Sequence, residues 1–108
     1  ISPYVLIDLI YPGMISIGDN VTIGSNVMVF AHYNPTANAF LKENGYPREV
    51  KKVTIKDGVV IGPGSIITAG TTIGKNSIIG AGSVVSNEIP DCSVAIGNPT
   101  RVIKKIKF

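Results

Sequence analysis

His32 is the only histidine of this 108-residue chain and the side chain best suited to move a proton. An imidazole both accepts and releases a proton near neutral pH, which is what a general base for a hydroxyl or an amine requires. The only cysteine, Cys92, has no basic neighbour in the sequence that could activate its thiol, so we expect it to be a small packing residue. The reactive side chains therefore favour acid–base chemistry over a covalent intermediate.

Positive charge is concentrated near the C-terminus, although the net charge of the chain is only +3. The residues concerned are Arg101, Lys104, Lys105 and Lys107. Such a basic tail can hold a phosphorylated small molecule, or it can be a solvated last strand or helix with a lysine fringe. Aromatic residues do not alternate with these cations, which argues against nucleic-acid binding. One cysteine and one histidine also predict neither a disulfide nor a metal site.

The elements that must position these residues are indicated by a repeat of six. An aliphatic or aromatic residue recurs at every sixth position on either side of a break, at Val5, Tyr11, Ile17, Ile23 and Val29, and then at Ile55, Ile61, Ile67, Ile73, Ile79 and Val85. If these occupy the first position of each hexad, the fourth is Gly or Asn in seven of eleven hexads, which predicts a corner with positive φ. The fifth position after the break is small, at Ser65, Thr71, Ser77 and Ser83.

Three such hexads predict one triangular coil of a prism. The first-position aliphatics would point inward, and successive coils would stack as parallel strands about 4.8 Å apart. The usual handedness of parallel crossovers predicts a right-handed coil. Composition agrees with one ordered, β-rich domain over residues 1–108, since 44% of the residues are hydrophobic and 16% are charged.

The apolar content of the chain and its first residues bear on its localisation and on the N-terminus of the natural protein. No apolar run approaches the ~18 residues that span a bilayer and no signal peptide opens the sequence, so we expect a soluble, cytoplasmic protein. Because residue 1 is Ile and the repeat has already begun at Val5, we expect the natural protein to be processed or to extend further at its N-terminus.

The repeat is broken once, and His32 lies at the break. Val29 and Ile55 are 26 residues apart, which six does not divide, so residues 34–52 must leave the prism as a loop. Their prolines and charges suit a solvent-facing segment, and long loops in compact domains are commonly functional. A corner could merely tolerate a histidine, since histidine is enriched at positive φ. The place of His32 at the mouth of the only loop favours a catalytic role instead.

Four segments of the repeat resemble a known family. They are residues 17–24 (IGDNVTIG), 60–64 (VIGPG), 73–85 (IGKNSIIGAGSVV) and 95–105 (AIGNPTRVIKK). These segments are similar to the hexapeptide-repeat acyltransferases, most closely to the maltose, galactoside and xenobiotic O-acetyltransferase branch. The resemblance implies an all-β fold, a single left-handed parallel β-helix with one protruding loop at about 34–52 and a short C-terminal basic tail. It also implies a homotrimer whose active sites lie between neighbouring subunits.

In activity, the resemblance implies an acyltransferase that moves an acetyl group from acetyl-CoA to a hydroxyl or amine of a small acceptor, without a metal. His32 matches the catalytic histidine before the extended loop, and would act as general base for direct attack while a backbone N–H stabilises the oxyanion. The acetyl-CoA contacts carried over by position are Gly62, Pro63, Gly80, Ala81, Gly82, Ser86, Asn87, Arg101 and Lys104. The glycines would let acetyl-CoA approach the backbone, although corners need them too, and the two cations would pair with its phosphates.

The chain departs from the galactoside branch at two points. Asn87 stands where that branch has a lysine, and residues 9–14 (LIYPGM) stand where it has acidic substrate-binding residues. A sugar acceptor is therefore not assumed, and an amino sugar, serine or a xenobiotic alcohol would suit the same chemistry. Candidate acceptor-lining residues, each of which could equally be structural, are Asp8, Tyr11, Tyr33, Asn34, Glu43 and Tyr46.

Other functions of the same fold make different demands on the residues. A γ-class carbonic anhydrase needs three histidines around its metal, two from one subunit and one from the next, which one histidine per chain cannot supply. A non-catalytic β-helix that serves as an assembly or regulatory module stays open, although it would leave the loop and His32 unexplained. A different acyl group, such as succinyl, is compatible with the same residues.

Overall fold

The structure is a computed structural model that describes residues 4–8, 12–33, 38–45 and 49–107. Most strands are only two or three residues long. In chain order the elements are β1 (Leu6–Ile7), a 3-10 turn (Pro12–Met14), β2 (Ile15–Ile17), β3 (Thr22–Ile23), β4 (Met28–Val29), β5 (His32–Tyr33), α1 (Ala39–Glu43), β6 (Glu49–Val50), β7 (Val53–Ile55), β8 (Val60–Ile61), β9 (Ile66–Ile67), β10 (Thr72–Ile73), β11 (Ile78–Ile79), β12 (Val84–Val85), β13 (Ser93–Ile96) and β14 (Arg101–Lys105).

Three sheets form the sides of a prism, and the chain visits them in rotation. Sheet A contains β1, β4, β9 and β12, sheet B contains β2, β7 and β10, and sheet C contains β3, β8, β11, β13 and β14. Apart from β14, the strands of these sheets pair in parallel, and Ile55 pairs with Ile73, eighteen residues or three hexads later. The pairs Ile61 with Ile79 and Ile67 with Val85 have the same spacing. The predicted triangular coil of three hexads is confirmed.

The core of the prism is the column of first-position residues. The members that are at most 1% exposed are Ile23, Val29, Ile55, Ile61, Ile67, Ile73, Ile79 and Val85. Ile17 is inward as predicted, yet 36% exposed, since β2 is the outermost described strand of sheet B. β-Branched side chains suit this column because they lose little freedom in a strand and fill the space between stacked coils.

The register of the first coil differs from the simple repeat. Ile7, and not Val5, pairs with Val29, 22 residues later instead of eighteen. The four additional residues arise around the 3-10 turn at Pro12–Met14, a local interruption that the spacing of apolar residues does not show. Val5 packs against the core as a partly buried residue, so its predicted first position is wrong. Tyr11, the next predicted member, lies outside the described residues.

A second register change shortens the last coil. Ile89 pairs with Ile73, and Ala95 pairs with Ile79, each sixteen residues on instead of eighteen. Cys92 lies in this coil with partial burial and a φ of 55°. The chain then reverses, and β14 runs antiparallel to β13 with all five residues exposed. The predicted basic tail is therefore a strand on the edge of sheet C.

The predicted corners are confirmed, and their side chains explain the small fifth position. Positive φ occurs at the fourth-position residues Asn20, Asn26, Gly58, Gly64, Gly70, Asn76 and Gly82. The buried hydroxyl of Ser65 donates to the carbonyl of Gly62 at 2.8 Å, and that of Ser83 donates to the carbonyl of Gly80 at 2.6 Å. Within the described residues, no buried side-chain polar atom lacks a partner.

His32 is an exception among the fourth-position residues, because it has no positive φ and lies in a strand. The explanation of His32 as a tolerated corner residue is therefore wrong. The chain leaves the prism here, as predicted for residues 34–52, and returns through β6, which pairs antiparallel with β5. The loop also contains the five-residue helix α1, which the all-β expectation did not include. No helix of the described residues is long and apolar enough to cross a membrane.

Two neighbouring isoleucines of β9 provide a test of the inward column. Ile67 is fully buried and Ile66 is half-buried on the outer side of the same strand. We expect Ile67→Ala to lower the free energy of unfolding by roughly 2 to 5 kcal/mol, since it leaves a cavity between stacked coils. Ile66→Ala is the matched control, with a loss of less than about 1 kcal/mol. Denaturant titration measures both, and equal losses would contradict the assignment of inward and outward positions.

Candidate active site

The site begins with a contact between His32 and a carboxylate of the preceding coil. Nδ1 of His32 lies 2.5 Å from Oδ2 of Asp8. The same oxygen accepts a hydrogen bond from the N–H of Ala31 at 2.9 Å. The side chain of Asp8 is 0% exposed, whereas that of His32 is 17% exposed. The Nδ1 atom of the imidazole thus contacts a buried carboxylate, and the ring is partly exposed to solvent.

The backbone of His32 is held by pairing with β6. His32 pairs with Val50 across β5 and β6, and the N–H of Lys51 donates to the carbonyl of Ala31 at 2.8 Å. The start and the end of the loop are therefore joined next to the imidazole. A histidine held by a buried carboxylate and by two strands has the fixed orientation that a general base requires.

Asp8 was expected among the acceptor-lining residues, and the structure gives it a different neighbour. Its buried carboxylate contacts His32 and has no exposed surface to offer an acceptor. Glu43 ends α1 and is exposed, and the backbone of Tyr33 pairs with Glu49. The remaining predicted acceptor-lining residues lie outside the described residues, namely Tyr11, Asn34 and Tyr46.

Five of the predicted acetyl-CoA contacts form one corner, between sheets C and A. Gly62 and Pro63 follow β8, and Gly80, Ala81 and Gly82 follow β11 directly above them in the next coil. The N–H of Gly82 donates to the carbonyl of Pro63 at 2.9 Å. Pro63, Ala81 and Gly82 are exposed, so this corner is accessible.

Gly62 and Gly82 of this corner are glycines for different structural reasons. A Cβ added to Gly62 would lie 2.5 Å from the backbone nitrogen of Ala81, so the coil stacked above excludes a side chain there. Gly82 has a φ of +70°, and a Cβ added to it would meet nothing within 4 Å. Packing between coils therefore requires Gly62, whereas only the backbone conformation restricts Gly82.

Ser86 and Asn87 lie on a different corner, between sheets A and B. They follow β12 and share this corner with His32, which follows β4 in the same sheet. Both are exposed, and Oδ1 of Asn87 accepts a hydrogen bond from the hydroxyl of Thr100 at 3.1 Å. The face of sheet A separates this corner from that of Gly82. Within one chain, the predicted site residues at the corners therefore form two groups.

The two predicted phosphate-binding cations lie on β14. Arg101 pairs with Ile96 and Lys104 pairs with Val94, and directly paired residues of antiparallel strands share a face. Both side chains therefore belong to the outer face of sheet C, and both residues are exposed. Lys105 instead donates from Nζ to the carbonyl of Asp91 at 2.9 Å. In the described part of the chain, no group of three or more His, Cys, Asp or Glu could hold a metal ion.

Sequence reasoning missed the contact between Asp8 and His32. Asp8 and His32 are 24 residues apart, and four of the intervening residues are the additional ones of the first coil. The regular spacing of eighteen residues between stacked coils therefore does not indicate that the two side chains meet. It also missed the ion pair of Glu49 and Lys51, whose Nζ and Oε2 atoms are 3.2 Å apart on either side of the residue paired with His32. Both partners of that pair are exposed, so it contributes little to stability.

Comparisons with known proteins agree with this geometry. Residues 52–87 match the family described as bacterial transferase hexapeptide (six repeats), and residues 14–31 match the hexapeptide repeat of succinyl-transferase. The chain is 36% identical to a maltose O-acetyltransferase from Clostridium difficile of known structure, with a TM-score of 0.76, over 100% of this chain and 70% of that one. A galactoside acetyltransferase solved in complex with coenzyme A is 35% identical, with a TM-score of 0.80, over 99% of this chain and 62% of that one.

A curated relative from Schizosaccharomyces pombe, named as an acetyltransferase, is 39% identical over 87% of this chain. The chain spans only 44% of the length of that relative. These similarities show that the chain belongs to the hexapeptide-repeat acyltransferase family. Its fold is the left-handed parallel β-helix, and the right-handed coil expected from ordinary crossovers is wrong.

Substitution of Gly62 should lower the free energy of unfolding more than substitution of Gly82. Gly62→Ala should lower the free energy of unfolding by about 1 to 3 kcal/mol, because the new methyl group meets the backbone of the next coil. Gly82→Asn should cost less than about 1 kcal/mol, since asparagine adopts positive φ readily, as Asn76 does in this chain. Thermal or denaturant unfolding compares the two. A smaller loss in Gly62→Ala than in Gly82→Asn would contradict the stacking assigned to this corner.

Proposed function

We propose that the protein is an acyltransferase that moves an acetyl group from acetyl-CoA to a hydroxyl or amine of a small acceptor. The observation that carries this proposal is the position of His32, the only histidine, which is held by the buried Asp8 where the chain leaves the prism. Family membership supports the reaction class, since the neighbours of known structure are named acetyltransferases and one of them was solved with coenzyme A.

The mechanism follows from one base and one activated acyl group. Acetyl-CoA supplies an acetyl group on a thioester. His32 removes the proton from the acceptor oxygen or nitrogen as that atom attacks the thioester carbonyl. A backbone N–H beside the reacting carbon stabilises the negative charge on oxygen, the carbon–sulfur bond breaks, and the proton leaves with the thiol. This direct transfer needs no covalent enzyme intermediate, which suits a chain whose only cysteine lies in the last coil, away from His32.

The accessible corner of Gly82 and the cations of β14 suggest how acetyl-CoA is held. Its long arm would lie along the exposed corner of Pro63, Ala81 and Gly82, where the backbone is accessible. Arg101 and Lys104 would pair with its phosphates from the outer face of sheet C. Asn87 contributes no cation, in contrast to the lysine of the galactoside branch, and its side chain is engaged with Thr100.

We further infer a homotrimer with each site shared between two chains. A molecule in a groove between two prisms can contact the Gly82 corner of one chain and the His32 corner of its neighbour. Both corners border sheet A, so sheet A would face outward, and sheet C of one chain would meet sheet B of the next. Sheet C supports this arrangement, because it exposes the aliphatic residues Val60 and Ile78 at 38% and 40%, and a neighbour would cover them. Repeating one such heterologous contact closes a ring.

The acceptor is proposed only as a class, a small molecule with a hydroxyl or an amine. Maltose and galactosides are acceptors in the names of the neighbours. Because Asp8 of this chain is occupied by His32, we expect the acceptor contacts to differ from those of the galactoside branch. A panel of maltose, a galactoside, glucosamine, serine and an aromatic alcohol covers the chemical alternatives.

The proposed base predicts a specific loss of activity. His32→Ala should lower the turnover of the best acceptor in the panel by roughly 10² to 10⁴, the usual contribution of a positioned general base. The KM for acetyl-CoA should change little, because the residues proposed to hold its arm and its phosphates lie on another corner and on β14. The oligomeric state should stay the same, because His32 lies in neither sheet B nor sheet C. Release of the CoA thiol measures turnover, and size-exclusion chromatography with light scattering measures the assembly.

The control for this variant is Met28→Ala, an exposed side chain on the outer face of sheet A, which should retain full activity because sheet A takes part in neither proposed contact between chains. Unchanged turnover in His32→Ala would overturn the catalytic assignment. A wild-type protein that neither binds acetyl-CoA nor releases its thiol would support the non-catalytic assembly module instead.

A further inference from the structure

We propose that Val50 is a specificity-determining residue of the acceptor site, and that the acceptor is an alcohol or amine whose reacting group is carried on an apolar body. This inference rests on the proposed function, since it narrows the acceptor class of that reaction. The observation that carries it is the pairing of Val50 with His32 across β5 and β6, which places an exposed aliphatic side chain beside the proposed base.

The pairing of β5 with β6 brings the side chains of His32 and Val50 close together. Directly paired residues of antiparallel strands share a face. The bond from the N–H of Lys51 to the carbonyl of Ala31 lies just outside this pair, so His32 and Val50 form a pair without hydrogen bonds to each other. In such pairs the Cα atoms are about 4.5 Å apart, the closer of the two antiparallel arrangements. A molecule bound at this imidazole therefore lies next to Val50.

The charged neighbours of Val50 lie on the opposite face of the same two-stranded ribbon. Successive residues of a strand point to opposite faces, so Glu49 and Lys51 point away from the face of Val50. Their ion pair, with Nζ and Oε2 3.2 Å apart, agrees with a common side for these two residues. The carboxylate of Asp8 has no exposed surface to offer an acceptor either. Among residues 49–51, Val50 alone therefore shares the face of His32.

A second apolar side chain lies at the same corner. Phe30 directly follows β4, is half-buried and lies outside the core cluster, whereas the equivalent residues of the next two coils are Thr68 and Ser86. A sugar would need a hydrogen-bonding partner for each hydroxyl that it removes from water. An apolar body instead gains free energy when it covers exposed aliphatic and aromatic surface. The described surface beside His32 therefore favours an apolar acceptor.

A purely structural role for Val50 is the competing explanation. Single exposed aliphatic residues are common on protein surfaces, and valine favours the strand conformation of β6. Under that explanation a threonine of nearly the same shape would serve equally well, and any loss of activity would be the same for every acceptor. Val84→Thr is the matched control, because Val84 is also a partly exposed strand residue and lies on the outer face of sheet A.

Two alcohols with the same reacting group separate the two acceptor classes. Cyclohexylmethanol and methyl glucoside each carry a CH2OH group on a six-membered ring, and they differ chiefly in the ring hydroxyls. With the wild-type protein, kcat/KM from thiol release should be at least about tenfold higher for cyclohexylmethanol. Val50→Thr should lower that value on the order of tenfold and change the value for methyl glucoside by less than about twofold. Val84→Thr should change neither value.

NMR of the imidazole measures binding separately from turnover, because the ring signals of the only histidine are assigned without ambiguity. Cyclohexylmethanol should shift these signals at concentrations at which methyl glucoside leaves them unchanged, and Val50→Thr should weaken the response. Ring signals that respond to neither alcohol, a preference for methyl glucoside, or equal effects of Val50→Thr on both alcohols would overturn the proposal. Binding of cyclohexylmethanol beside His32 without thiol release from any acceptor would support the apolar site and contradict the proposed function.

Discussion

The register between stacked coils is the constraint on which the structure depends. Strands of two or three residues cannot be stable alone, because each has too few hydrogen bonds and too little buried surface. Stability comes instead from pairing each strand with the coil above and below, and from the continuous aliphatic column that these pairs enclose, in which Ile61 and Ile67 are almost fully buried. The position of any side chain on the surface is therefore set by the residue that stacks against it.

The candidate site is built where this register is interrupted. Four additional residues in the first coil bring Asp8 beneath the coil that contains His32, and twenty additional residues between Val29 and Ile67 form the loop beside it. The shortened last coil is followed by β14, which presents Arg101 on the outer face of sheet C. The regular coils supply rigid corners such as that of Gly82. The regular coils therefore form a rigid scaffold, and most of the candidate site residues lie at its irregularities.

Sequence reasoning succeeded where information is local and periodic. The inward column from Ile23 to Val85 and the Gly and Asn corners follow from a spacing of six, which each coil repeats within itself. The positions of β1 and β6, the helix α1 and the partner of His32 depend on residues far apart in the chain, and no local pattern specifies them. The sequence indicates His32 as a candidate base because it is the only histidine and lies at the break, whereas the contact of its Nδ1 atom with Asp8 depends on the register of the first coil. The predicted contacts with acetyl-CoA follow from the family resemblance, and within one chain they lie on two corners and on the outer face of sheet C.

The proposed active site takes His32 from one chain and the Gly82 corner from its neighbour, and subunit complementation tests this arrangement most directly. His32→Ala disables the first half, and Ala81→Trp, at an exposed position, should block the second, so each homotrimer should be inactive. Co-expression in equal amounts should restore about one quarter of the wild-type thiol release, because about three quarters of the trimers are mixed and each of these has one complete site in three. Mixed trimers with no activity, although size and acetyl-CoA binding show that they assemble, would contradict the shared site and place all of its residues within a single chain.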